Sequence, residues 1–148
     1  ADLARANLAR ADLARANLTG AKGFSKYITT PLYILQFQTG TIRAFKIVTA
    51  AGNGIYQGGL KYEVGEEVSV EDANTSEADQ CGPGVNLATL DWCLKEYVPG
   101  YRILVVEHTA EDIACIPISS DGKYRVHRCK VVEELDLSTV GIEVKEEK

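Results

Sequence analysis

The first twenty residues repeat a five-residue pattern of small, polar and apolar positions four times without interruption. Each unit begins with alanine, continues with aspartate or asparagine and has leucine at its centre; these leucines are Leu3, Leu8, Leu13 and Leu18. An α-helix turns by about 100° per residue, so leucines five positions apart would be about 140° apart and would not share one face. The period therefore favours a repeat structure over an amphipathic helix.

The pattern resembles the motif of the pentapeptide-repeat family, in which alanine, aspartate or asparagine, and leucine are followed by two variable residues. The leucines match its central position, and its small position is matched by Ala1, Ala6, Ala11 and Ala16. The resemblance implies that residues 1–23 form one coil of a right-handed quadrilateral β-helix. Stacked repeats need several units to bury their end faces, and the 148 residues contain no methionine. We therefore expect the chain to be the C-terminal end of a longer repeat array; the alternatives are that another copy of the chain stacks on the coil, or that the coil packs on the C-terminal domain.

Beyond the repeats, the apolar residues occur in short runs separated by turn residues, which is typical of β-strands. We expect residues 24–42 to form a cap and connector, residues 43–136 a β-rich α+β domain, and residues 137–148 a C-terminal tail. Apolar side chains at helical spacing predict one main helix at about 87–98, whose start Thr89 can cap. The predicted strands cover residues 32–38, 41–49, 62–70, 101–107, 113–118 and 124–133. The predicted fold class is mainly β.

A second resemblance concerns residues 43–134, which look like an uncharacterised domain of phage, giant-virus and bacterial proteins that frequently follows pentapeptide repeats. The matching motifs lie at residues 81–89, 111–113, 116–117, 123–126 and 130–132. In that domain a histidine usually occupies the position of Asn86. The resemblance implies an architecture and no particular reaction.

Acidic side chains outnumber basic ones, and their distribution is uneven. The formal net charge is −5. Between Glu63 and Asp112, twelve carboxylates face only Lys95 and Arg102, and such a surface repels phosphate. The charge pattern therefore predicts no nucleic-acid binding, and no apolar run approaches the roughly 20 residues of a membrane span.

One short basic segment interrupts the acidic part of the chain. Its cations are expected to lie in solvent on an exposed strand, and the functional alternative is an anion-binding site. The candidate binding residues of that site are Lys123, Arg125, His127 and Arg128.

The candidate catalytic residues are Cys81, Asn86 and His108. Cys81 lies in a Gly-Pro-Gly turn that approaches the predicted helix, and a helix N-terminus can lower the pKa of a thiol. Nucleophilic catalysis would also need a histidine beside the thiol, and the chain has only His108 and His127. The alternative is a turn cysteine with a packing role.

No metal site is predicted, because the four cysteines lack the Cys-x-x-Cys spacing of structural zinc sites. Two histidines and two cysteines could in principle assemble four ligands; they are His108, Cys115, His127 and Cys129. No cofactor is predicted either.

The lack of a convergent catalytic set favours a non-enzymatic structural or partner-binding module at the C-terminal end of a pentapeptide-repeat solenoid. We expect a protein partner or self-association, and a cytoplasmic location; the second resemblance suggests a phage or virus, and hence the host cytoplasm or the virion. The alternative is a small enzyme with its site near Cys81, Asn86 and the basic strand. It would be hydrolytic, or nucleotide-handling and similar to ADP-ribosyltransferases. In the nucleotide-handling case the cleft would be lined by Arg43, Tyr56, Tyr62 and Asn86.

Overall fold

The structure is a computed structural model that describes residues 25–56 and 59–143. Within these residues the strands are β1 (Ile42–Val48), β2 (Glu67–Ser69), β3 (Val85–Ala88), β4 (Arg102–His108), β5 (Ile113–Cys115), β6 (Lys123–Val126) and β7 (Arg128–Glu134). The α-helix is α1 (Leu90–Glu96). Short 3-10 helices cover Lys26–Ile28, Pro31–Phe37, Ala110–Asp112 and Leu137–Val140.

All seven strands form one antiparallel sheet in the order β2-β7-β4-β1-β3-β6-β5. The centre is the long pairing of β1 with β4, which runs from Ile42 opposite His108 to Val48 opposite Arg102. In contrast, β1 pairs with β3 only through Phe45 and Ala88. The two strands therefore diverge on either side of this pair, and the sheet has a gap there.

The two faces of the sheet carry different apolar clusters, because side chains alternate along each strand. The larger cluster covers one face and includes Ala44, Val48, Val85, Leu87, Leu104, Val106, Tyr124, Val126 and Val131. The smaller cluster lies on the other face, where α1 packs against β1, and consists of Ile47, Ala88, Trp92, Cys93 and Ile103. The gap between β1 and β3 opens on this second face, beside α1.

The mainly β fold is confirmed, but the helix is shorter than the predicted 87–98. Residues 85–88 belong to β3 because they pair with β6. Thr89 is extended, with ψ 161°, and makes no side-chain capping hydrogen bond. At the other end Tyr97 is already extended, with ψ 134°, two residues before Pro99.

Several strand predictions also need correction. The strand predicted at 32–38 is wrong, because Pro31–Phe37 is a 3-10 helix whose first turn is capped by Thr30. The strands predicted at 62–70 and 113–118 are shorter, and the one predicted at 124–133 is two strands that break at His127. The strands predicted at 41–49 and 101–107 are confirmed as β1 and β4.

The predicted β-helix coil of residues 1–23 lies outside the described residues, as does the end of the tail beyond residue 143. Among the described residues, no helix is long and apolar enough to cross a membrane.

Candidate functional site

A cleft lies on the α1 face of the sheet, at the gap between β1 and β3. Its inner part is narrow, with a cavity volume of about 30 Å³ and an apolar floor that includes Phe45, Ile47 and Ala88. Its outer part is wider, with a volume of about 300 Å³, and includes Gln80, Glu96 and Asp121. Both parts are lined by Tyr56, Cys81, Trp92 and Lys123. The outer volume is within the range of small-molecule sites.

Asn86 lines the inner part and has a side-chain oxygen without a partner. The residue is 9% exposed, and its Nδ2 donates to the main-chain oxygens of Gly82 at 3.0 Å and Gly84 at 3.3 Å. Carbonyl oxygens can only accept, so these bonds fix the orientation of the amide. Oδ1 is consequently buried with no hydrogen-bond donor among the described residues. Such a group costs about 1–3 kcal/mol.

The turn before β3 presents these two carbonyls because it packs closely against the preceding loop. A Cβ on Gly84, whose φ is +142°, would lie 2.9 Å from Cβ of Ala73. A Cβ on Gly82 would lie 2.6 Å from Nδ2 of Asn74. Both contacts are too short for a side chain, so the Gly-Pro-Gly sequence is what allows the turn to reach Asn86.

Lys46 reaches across the gap from β1 to β3. Its Nζ donates to the main-chain oxygen of Asn86 at 2.7 Å and lies 5.1 Å from the ring centroid of Tyr62. Burial lowers the pKa of Lys46 to about 8, and the nearby charge of Lys123 acts in the same direction. The side chain therefore bridges the two strands where their backbones no longer pair.

Lys123 places a second ammonium group in the cleft. The residue is 8% exposed, and its Nζ lies 5.9 Å from the ring centroid of Trp92 and 6.0 Å from that of Tyr56. These are cation–π distances. In the part of the chain that the structure describes, the ammonium has no ion pair and no hydrogen bond. A largely buried cation with no anionic partner is a natural anion contact.

Cys81 is exposed at the cleft, whereas Cys93, Cys115 and Cys129 are buried. Neither histidine lines the cleft with it. The ring of His108 contacts Tyr124 Oη at 2.6 Å through Nε2 and Thr109 O at 2.7 Å through Nδ1.

Burial lowers the pKa of His108, and Tyr124 belongs to the core cluster on the opposite face. His127 Nδ1 lies 3.3 Å from Val70 O. Of the candidate catalytic residues, the structure thus brings Cys81 and Asn86 together and leaves His108 apart.

The basic residues do not form one exposed strand. Lys123 to Val126 are all buried, because β6 lies inside the sheet between β3 and β5. Arg125 is fully buried and donates to the main-chain oxygens of Asn74, Ser76 and Asp79 at 2.7–2.8 Å. The expectation of solvated cations is therefore wrong for Lys123 and Arg125.

Arg128 is exposed and forms an ion pair with Asp112 at 3.1 Å. The four predicted binding residues thus lie apart, and of these four only Lys123 lines the cleft. Of the residues expected for a nucleotide-handling enzyme, Tyr56 and Asn86 line the cleft. Tyr62 is in the core of the opposite face, and Arg43 pairs with Glu107 at 3.2 Å.

Lys46 and Trp92 are among the cleft residues that were not predicted from the sequence. Lys46 is a lysine inside the otherwise largely apolar strand β1, and Trp92 is the single tryptophan of the chain. Both features are unusual enough that the sequence alone could have marked these two residues as candidates for a functional site. As for metals, no group of three or more potential metal ligands occurs among the described residues.

Comparison with known proteins identifies the repeats and nothing further along the chain. A family model described as pentapeptide repeats (8 copies) matches residues 1–22. No curated protein and no solved structure matches the chain. The chain therefore carries pentapeptide repeats, consistent with a repeat-protein module, and the similarity of residues 43–134 to a phage and giant-virus domain stays a prediction.

Proposed function

We propose that the chain is a small-ligand-binding module attached to pentapeptide repeats, and that the cleft between β1, β3 and α1 is its binding site. The observation that carries this proposal is the ammonium of Lys123. The residue lines both parts of the cleft and is only 8% exposed. Among the described residues this ammonium has no ion pair and no hydrogen bond.

Two aromatic rings define the position of this ammonium, whose Nζ lies 5.9 Å from the ring centroid of Trp92 and 6.0 Å from that of Tyr56. An anionic group on a ligand seated in the cleft would neutralise the charge of Lys123.

We infer binding in preference to catalysis because neither histidine of the chain lines the cleft with Cys81. Cys81 lines both parts of the cleft, but His108 bonds to Tyr124 on the other face of the sheet. A hydrolytic enzyme using a cysteine and a histidine would need these two side chains in hydrogen-bonding contact.

The single tryptophan makes the proposal testable, because Trp92 lines the cleft. We expect at least one member of a panel of amino acids, nucleosides, nucleotides and sugar phosphates to change its fluorescence in a saturable titration. Alkylation of Cys81 with iodoacetamide should abolish the response, since the added group occupies the cleft. The matched control is Cys81→Ser, in which the same treatment should leave the response intact.

Two results would contradict the proposal. One is a panel in which no compound gives a saturable change. The other is a response that persists at full strength in Lys123→Met, with circular dichroism showing that the variant is folded.

A second candidate role, the capping of the repeats, is favoured by an apolar patch formed by Tyr27, Ile28, Ile34 and Phe37. These side chains are 51–70% exposed, and the rings of Tyr27 and Phe37 lie 6.5 Å apart. The matched repeats end at residue 22, and five residues of chain span at most about 18 Å. We propose that the repeat segment, residues 1–22, packs on this patch.

A double-mutant cycle in the full chain tests the capping role. If the repeats contact the patch, Leu18→Ala and Phe37→Ala should be coupled by at least about 0.5 kcal/mol in the free energy of unfolding. The control pairs Leu18→Ala with Val98→Ala, an exposed apolar residue outside the patch, and should be additive. Additivity of both pairs would refute the contact, and loss of concentration-dependent self-association in Phe37→Ala would assign the patch to a second copy instead.

A further inference from the structure

We infer that Lys46 binds an aldehyde that also carries an anionic group, by forming an imine with it in the cleft. The inference rests on the proposed binding function, in which Lys123 contacts the anion, and it specifies the second group of the ligand. Three features of Lys46 favour this chemistry: where its side chain lies, which groups surround its amine, and which contacts an imine would keep.

Lys46 and Lys123 line the same inner part of the cleft. The Lys46 side chain extends from β1 into the gap, where Nζ donates to Asn86 O at 2.7 Å in a bond that is only partly buried. A water molecule needs roughly 10–15 Å³ of cavity, so the volume of about 30 Å³ admits a small group such as a formyl group. One ligand that enters this space is therefore offered both an amine and a cation.

The surroundings of Lys46 favour the neutral amine, which is the form that attacks a carbonyl carbon. Burial lowers the pKa of Lys46 to about 8, and the charge of Lys123 acts in the same direction, whereas the thiols of Cys81, Cys93 and Cys129 oppose the shift. Burial raises the pKa of Cys93 and of Cys129 to about 12, so these two thiols stay neutral where Lys46 titrates. Lysines that form imines are typically desolvated in an apolar pocket or placed beside a second cation, and Lys46 meets both conditions.

An imine would keep the contacts that Lys46 makes now. A C–N bond forms, the C=O bond breaks, and the carbonyl oxygen leaves as water with the two hydrogens of the neutral amine, so no oxidant or reductant is required. A proton from solvent then gives the imine nitrogen one N–H, which can donate to Asn86 O as the ammonium does. The positive charge would still face the ring of Tyr62, 5.1 Å from Nζ, and burial raises the pKa of Tyr62 so that this ring stays neutral.

The charges of the cleft select an aldehyde with one anionic group. Lys123 has no anionic partner among the described residues, whereas the outer part is lined by the carboxylates of Glu96 and Asp121. The anion of the ligand would pair with Lys123, and a second anion would be repelled from the outer part. An aldehyde without an anion would form only the imine, which water hydrolyses again.

Reductive trapping of the full chain, followed by peptide mass spectrometry, tests the inference. The probes are three anionic aldehydes that differ in size, glyoxylate, 4-formylbenzoate and pyridoxal 5′-phosphate, and cyanoborohydride reduces their imines to stable secondary amines. At pH 8 we expect at least one probe to label Lys46 at least about tenfold faster than the exposed Lys95, because about half of the Lys46 amines are then neutral, whereas an ordinary lysine has a pKa of about 10.4. In denaturing urea, where Lys46 is no longer buried, the two rates should become similar.

Each probe has a neutral counterpart that controls for the anionic group: methyl glyoxylate, methyl 4-formylbenzoate or pyridoxal. The active probe should label Lys46 at least about tenfold faster than its counterpart, since only the anion can pair with Lys123. Lys123→Met should remove this preference, and Arg128→Met, which removes an exposed cation outside the cleft, should keep it. If Lys123→Met fails to fold, the comparison of probe and counterpart on the unaltered protein still decides.

The inference is overturned if all three probes label Lys46 no faster than Lys95, or if probe and counterpart label Lys46 at equal rates. If the fluorescence of Trp92 then responds to a compound that has no aldehyde, and Lys123→Met weakens the response, the proposed binding function stands and only the imine is wrong. If no compound of the panel produces a response and no probe labels Lys46 selectively, both fail.

Discussion

Replacing Arg125 with methionine should lower the free energy of unfolding by at least about 3 kcal/mol, since each of its three main-chain hydrogen bonds is of the kind that contributes about 1.5–3 kcal/mol. The guanidinium is fully buried and donates to three main-chain oxygens of the loop that contains Asn74, Ser76 and Asp79. Methionine is of similar length and fills the space, so the substitution removes the donors without opening a large cavity. Urea denaturation at an unchanged m-value measures the difference.

The matched control for this experiment is Arg128→Met. Arg128 is exposed, and its ion pairs with Asp112 and Glu67 are of the kind that contributes about 0–1 kcal/mol. A loss below about 1 kcal/mol in Arg125→Met, less than one such hydrogen bond contributes, would show that the loop holds its shape without the cation. Hydrogen exchange at the Asn74 N–H, which donates to Pro83 O at 2.7 Å, should become faster in the variant if the loop loosens as expected.

Replacing Gly122 with alanine should destabilise the fold by about 3 kcal/mol, because backbone strain and overpacking each cost about 1–3 kcal/mol. Gly122 has a φ of +141°, and a Cβ there would lie 2.6 Å from Thr89 Oγ1 and 2.9 Å from Trp92 Cβ. Its main-chain oxygen also accepts from Thr89 N–H at 3.0 Å. The substitution therefore pushes the start of α1 away from β6. Trp92, which belongs to α1 and lines the cleft, moves with it.

Gly100→Ala is the control that separates the cost of backbone strain from the cost of overpacking. Gly100 has a φ of +100°, and a Cβ there would have no atom within 4 Å, so only the backbone strain applies. We expect thermal or urea unfolding to show a loss at least about 1 kcal/mol smaller than in Gly122→Ala. The emission of Trp92 should shift in Gly122→Ala and not in Gly100→Ala. Equal losses in the two variants would mean that the contact with α1 relaxes freely.

The strands that sequence patterns located correctly are β1 and β4, which pair with each other at the centre of the sheet. β1 and β4 are rich in isoleucine, leucine and valine, residue types that favour strands. The run at 31–37 was wrongly predicted as a strand because a short apolar run fits a helical turn equally well. Proline at its first position and the cap by Thr30 favour the 3-10 helix instead.

The candidate site was predicted only in part, because its contacts join distant segments. Cys81 was identified from its Gly-Pro-Gly turn and Asn86 from the resemblance of residues 43–134 to a domain with histidine at that position, and both line one cleft. Arg125 was expected in solvent because arginine is rarely buried. What buries it is a loop 46–51 residues earlier in the chain, and no local pattern contains that information.

The single backbone pair between Phe45 and Ala88 divides the sheet into a ribbon of four strands and a ribbon of three. The cleft takes Phe45 and Lys46 from the first ribbon and Asn86 and Lys123 from the second. A molecule bound in the cleft would contact both ribbons where only this one pair joins them. By mass action its concentration would set how strongly the two ribbons are held together. The weakest backbone junction of the sheet would thus become the one whose strength depends on the concentration of a small molecule.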